Sequence, residues 1–178
     1  MNPRYLLAPL LIAGTAVAQQ GEDIFSFIPL GGRSVLERSL ESGDPDLIES
    51  LSKARSSPEW IEVLSSEGNL GTVQLDEWER QTLADYLAYA GAIPDTAQLP
   101  ADGRDMIMTR CQSCHIITVT VTQARSREAW LAMLGRTSHV EIPLSEAERE
   151  QLADYLAVNA GLPIDVIPPE LRAGGASY

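Results

Sequence analysis

Apolar residues recur at helical spacing along most of this chain. In "LSEAEREQLADYLAVNAGLP" (144–163), Leu152, Tyr155, Leu156 and Ala160 form one apolar stripe, as an amphipathic helix requires. Ser145 followed by Glu148 predicts a capping box at its start, with Leu144 as the hydrophobic staple. Gly161 and then Pro163 predict its end. "LDEWERQTLADYLAYAGAIP" (75–94) has the same layout, with Asp76 and Glu79 as the box, Leu75 as the staple, and Gly91 and Pro94 as the stop. Ser57-Pro58 predicts the start of a shorter helix through Trp60, and Ser126 the start of its counterpart through Trp130. Asp102 is placed to cap a helix through Met106 and Ile107 into Cys111. "IITVTVT" (116–122) alternates with period two, but it has no convincing partner strand and reads as an extended connection. The expected fold class is all-α.

The two long helices belong to a larger repeat. "ARSSPEWIEVL" (54–64) matches "ARSREAWLAML" (124–134) at an offset of 70. The long-helix segments match at an offset of 69, so one residue has been gained or lost between the blocks. The pattern predicts a tandem duplication with a boundary in "DTAQLPADG", residues 95–103. The expected units are residues 19–98 and 99–178.

The opening "MNPRYLLAPLLIAGTAVAQQ" reads as a cleavable secretory signal over residues 1–18. It has a basic start at Arg4, an apolar stretch too short to span a bilayer, and a small-residue cleavage site at Ala16-Val17-Ala18. The expected location is therefore the periplasm, with no transmembrane segment in the mature chain. Hydrophobic content, at 44%, is ordinary for a globular protein, but the net charge of -12 is not. Removing Arg4 with the leader makes it -13. Such a chain repels phosphates, which argues against nucleic acid as a partner. Its field favours a partner with a basic docking patch.

The only two cysteines stand in "RCQSCHII" (110–117), followed at once by one of the only two histidines. A thioredoxin-type pair needs a strand before it, and none is expected here. A structural zinc site would need Cys111, Cys114, His115 and His139, an unusual spacing for the second pair of ligands. A disulfide between Cys111 and Cys114 would close too short a loop to gain much. The remaining reading is C-x-x-C-H as the attachment motif of one covalently bound haem c. On a helix Cys111, Cys114 and His115 fall at i, i+3 and i+4, on one face. The two sulfurs would then hold the porphyrin edge while His115 reaches the iron as proximal ligand.

With this motif the chain resembles the class I c-type cytochromes. Gly103 lies eight residues before Cys111 and Ile107 four before it, where that family has the glycine and apolar residue of its first helix. "LADYLA" with Tyr155 is similar to the family's C-terminal helix, which packs across the first. "RSREAWLAML" resembles a subtype found in cytochrome subunits of periplasmic dehydrogenases, including sulfite dehydrogenases and haem domains of quinohaemoprotein amine dehydrogenases. The resemblance implies a single-electron carrier, not itself an enzyme, serving a periplasmic dehydrogenase or an electron acceptor. The alternatives are a haem-based small-ligand sensor or peroxidase with a displaceable sixth ligand, and a structural or assembly subunit of a redox complex.

The resemblance implies haem in the second copy only. At the offset of 70, "CQSCH" corresponds to "ESGDP" (41–45), which has neither anchors nor histidine. Leu47, Ile48 and Leu51 are then expected to refill the core that the first copy lost with its porphyrin, leaving residues 19–98 as a docking and shielding module. Arg125 and Trp130 are candidates for haem contact, Arg125 through a propionate. Arg55 and Trp60 persist in the haemless copy, which favours a packing role for both. The distal iron ligand falls to His139 in "GRTSHVEIPL", since Thr137 stands where the subtype places a methionine; Met133 is the alternative, and an open site comes third. Met106 and Met108 read as packing residues.

Overall fold

A computed structural model describes residues 24–41, 45–66 and 74–172. Residues 1–23, which include the expected signal, and residues 42–44, 67–73 and 173–178 lie outside the described residues. Among those described there are nine α-helices and no strand, so the fold is all-α. No described helix is long and apolar enough to cross a membrane.

The two longest helices, α4 (Glu77–Ala90) and α9 (Glu146–Asn159), form where capping chemistry and an apolar stripe coincide. Asp76 Oδ1 accepts from the Glu79 amide at 2.8 Å, and the Glu79 carboxylate accepts from the Asp76 amide at 3.2 Å. Ser145 and Glu148 form the same reciprocal pair. Beyond their ends Gly91 and Gly161 take positive φ, 70° and 87°, the region where a Cβ is penalised. The shorter helices α3 (Ser57–Ser65) and α7 (Arg127–Leu134) pack against α4 and α9 respectively. Helix α3 starts at Ser57 as expected, capped by Ser56, whose amide donates to the Glu59 carboxylate. Ser57 Oγ donates to Asp85 at 2.5 Å, and Arg127 bonds Asp154, so each short helix is pinned to its long one by a polar tie as well as by a buried tryptophan.

Helices α1 (Gly32–Leu40) and α5 (Gly103–Arg110) cross α4 and α9 at a glycine. A Cβ on Gly32 would lie 2.2 Å from the Tyr86 Cβ, and one on Gly103 would lie 2.2 Å from the Tyr155 Cβ. Only glycine permits either crossing. The result is two apolar cores. One gathers Val35, Leu36, Leu47, Leu51, Trp60, Leu83 and Leu87; the other gathers Met106, Ile107, Val121, Trp130, Leu134, Leu152 and Leu156. In α2 (Pro45–Leu51), Leu47 and Leu51 are fully buried as expected, but Ile48 is 49% exposed. Spacing explains the difference: Leu47 and Leu51 share a helical face, and Ile48 projects about 100° away from Leu47.

The halves also exchange their leading segments. Ile28, before α1, is buried in the second core, and Tyr155 Oη donates to Pro29 O at 2.7 Å. Leu99, before α5, packs on the first core, and Tyr86 Oη donates to Pro100 O at 2.9 Å. Asp102 is 1% exposed and caps two helices at once, accepting from the Asp105 amide in α5 and the Arg33 amide in α1. Burial pushes its carboxyl above the usual range, against the pull of those two amides. Helices α4 and α9 pack along each other, and Asn159 Nδ2 donates to Thr82 Oγ1 across that seam at 2.8 Å.

The "IITVTVT" stretch is not extended. Thr118–Val121 form a short helix, α6, in which Thr118, Thr120 and Val121 are buried. Local hydrogen bonds such as Val121 N to Ile117 O satisfy its backbone, which an unpaired extended segment would have left to solvent.

Candidate haem site

Helix α5 stops at Arg110, and the motif itself is a 3-10 turn, Cys111–Ser113, rather than a continuation of the α-helix. Cys114 N closes it on Cys111 O at 3.5 Å. In a 3-10 turn residues i and i+3 eclipse, so the two cysteines share a face more strictly than on an α-helix. His115 follows directly. Neither cysteine is in a disulfide. Cys111 is half-buried, and burial, reinforced by Cys114, pushes its thiol up to about 11. A dithiol-exchange site lowers this pKa to make thiolate, and burial here acts in the opposite direction.

A cavity of about 310 Å³ opens beside this turn. Cys111, Cys114 and His115 line it together with Met133 and Leu134 of α7, Ser138 and His139 of α8 (Thr137–Val140), Ile142, and Leu152 and Leu156 of α9. Residues distant in sequence, His115 and His139 above all, are thus brought to one cavity. His115 Nδ1 lies 3.4 Å from Ile116 O, and His139 Nδ1 lies 3.1 Å from Ser138 Oγ. With each Nδ1 engaged by a neighbour, Nε2 is the nitrogen left for a metal.

The donor set fits haem better than a bare ion. Among the described residues no group of three His, Cys, Asp or Glu side chains is placed to hold a metal ion, so the four-ligand zinc alternative is not assembled. Haem asks for less from the chain: two thiols at a porphyrin edge, one axial imidazole, and apolar walls, which Leu134, Leu152 and Leu156 supply. Cys111, Cys114 and His115 would hold it, with His139 or Met133 available as second axial donor.

Arg125 and Trp130 are not among the residues that line this cavity. Arg125 bonds Gln123 Oε1 and sits 5.5 Å above the Trp130 ring; Arg55 sits 4.6 Å above Trp60. Both indole N–H groups are buried without a hydrogen-bond partner among the described residues. Because Trp60 shares this feature in the half without the motif, it does not mark Trp130 as a haem contact. Of the other methionines, Met106 is buried in the core and Met108 packs against it. Sequence reasoning missed Thr120 and Arg110 on the lining and Arg149 behind it. Only the recurrence of an arginine, at Arg80 and Arg149 in the two long helices, hinted at Arg149.

No family model, no curated protein and no solved structure matches this chain.

Proposed function

We propose that this protein is an exported monohaem c-type cytochrome that carries single electrons, built from a tandem duplication whose first copy has lost its haem. The single observation that carries the reading is the cavity where Cys111, Cys114 and His115 meet His139 and Met133 among apolar walls. A haem bound there supplies reversible one-electron iron chemistry. The chain's own contribution is to anchor it, to offer imidazole nitrogen to its metal, and to keep water from most of its face.

Matched pairs support the duplication: Gly32–Tyr86 with Gly103–Tyr155, and Arg55–Trp60 with Arg125–Trp130. The glycines are 71 apart, one more than the tryptophan blocks. On that spacing Leu40, which packs on the first core, stands where Cys111 stands in the second. An apolar side chain thus takes the place of a thioether anchor. The net charge of -12 favours a redox protein partner with a basic patch, either a periplasmic dehydrogenase or an electron acceptor.

The experiment is a redox titration with ligand challenge. An electron carrier titrates as one electron per chain and, when reduced, ignores carbon monoxide. His139→Ala then turns the haem high-spin while Met133→Leu leaves the spectrum nearly unchanged. Rapid carbon monoxide binding by the wild type contradicts the carrier reading and favours a sensor or peroxidase. The reverse pattern of variants transfers the ligand role to Met133.

A further inference from the structure

The segment bearing both distal candidates is held by one side chain of α9. Arg149 Nη1 donates to Leu134 O at 3.0 Å and to His139 O at 3.2 Å. Its Nη2 donates to Val140 O at 3.0 Å and to Ile142 O at 2.7 Å. Leu134 ends α7 and Val140 ends α8, so the guanidinium sits where two helix C-termini present carbonyls with no intrahelical partner. Positive charge is favoured at that end of a helix, and bonds from a charged donor are stronger than neutral ones. The rest of α8 offers little else to fix it, since none of its residues is buried. Arg149 shares α9 with Leu152 and Leu156, which line the cavity. One planar fork therefore references the path from Leu134 to Ile142 to the cavity wall.

We propose that Arg149 is the positioning residue that holds His139 over the haem, an inference that rests on the cytochrome reading above. It touches neither haem nor iron. It fixes the backbone on both sides of the imidazole, which keeps the sixth ligand from drifting away and exchanging for an external one. Lysine cannot replace it, because a single ammonium cannot bridge four carbonyls from two nitrogens.

The test uses the full-length, haem-loaded protein and three variants: Arg149→Lys, Arg149→Met and Arg149→Met with His139→Ala. Amide hydrogen exchange at His139, Val140 and Ile142 should speed up at least about tenfold in Arg149→Met, with amides of α4 and α5 unchanged. Carbon monoxide affinity of the reduced protein should rise at least about tenfold in the same variant, and less in Arg149→Lys. In the His139→Ala background Arg149→Met should add no further rise, because its effect passes through that imidazole. Unchanged exchange, or an equal rise with and without His139, overturns the proposal. If Arg149→Met does not accumulate, Arg149→Lys must show the same pattern at smaller amplitude, and a flat response overturns it equally. A chain without covalent haem removes both this inference and the cytochrome reading; a haem-loaded chain with a flat Arg149 response removes this inference alone.

Discussion

Replacing Gly103 by alanine tests whether the helix crossing that frames the cavity depends on the absence of one atom. The new Cβ would lie 2.2 Å from the Tyr155 Cβ and 2.4 Å from Cγ. Carbon atoms pack at about 3.5–4.0 Å, so α5 must retreat from α9 by more than an ångström. Neither partner can rotate aside, because Cβ positions are fixed by the backbone. Overpacking of this kind costs about 1–3 kcal/mol, and retreat also loosens Ile107, which is fully buried. Gly103 does not have positive φ, so alanine recovers about 0.4–1 kcal/mol by restricting the unfolded chain. Subtracting that gain leaves a net loss of about 0.5–2.5 kcal/mol. For a chain of this size it lowers Tm by about 1–10 °C. Gly32→Ala, which meets Tyr86 at the same 2.2 Å, should cost a similar amount. Gly135→Ala is the control: its nearest neighbour is Leu131 O at 3.4 Å and its φ is -82°, so it should hold or raise Tm. Calorimetry of the full-length protein gives all three values. A Gly103→Ala melt at or above wild type, or a Gly135→Ala loss as large, would show that the crossing does not depend on the missing Cβ.

Residues 99–178 expressed alone lose Ile28 from their core, the Pro29 carbonyl for Tyr155 and the Thr82 hydroxyl for Asn159. Together these cost about 4 kcal/mol, so the fragment should melt well below the full chain; an unchanged Tm and unchanged electron acceptance from its donor would deny the first half any shielding or docking role. Leu47→Ala should destabilise by about 2–5 kcal/mol and Ile48→Ala by under about 0.5 kcal/mol in urea unfolding, and comparable losses would contradict the placement of the refilled core. In the haem-free chain exposed Cys114 should alkylate before Cys111, whose thiol is pushed up to about 11, and the Cys111 rate should climb about tenfold per pH unit from 7 to 9. Equal rates at pH 7 would show that Cys111 is not shielded.

The capped helices were legible because their signals are local. Asp76–Glu79 and Ser145–Glu148 announce themselves within four residues, and Gly91 and Gly161 stop the chain where a left-handed residue is wanted. The motif was legible because its chemistry needs fixed spacing. What could not be read required knowing which surfaces meet. The period-two run at 116–122 looked extended, yet burial of Thr118, Thr120 and Val121 against the second core decided for a helix. Ile48 borders the face that Leu47 and Leu51 share, and spacing alone did not say on which side of that border it would fall. Asp102 was legible as the cap of α5, but not as the cap of α1, which lies 69 residues away. The recurrence of Arg80 and Arg149 hinted at a role but not at its partners, four carbonyls at the ends of α7 and α8 and at Ile142 that meet Arg149 only when the chain folds back on α9.

Covalent attachment of one haem through Cys111 and Cys114 is tested by acid–acetone extraction of the denatured protein, followed by intact mass and a haem-to-chain ratio. The haem should stay with the polypeptide at one per chain, and Cys111→Ser with Cys114→Ser should release it. A haem that extracts freely from the wild type, two haems per chain, or none, would contradict it.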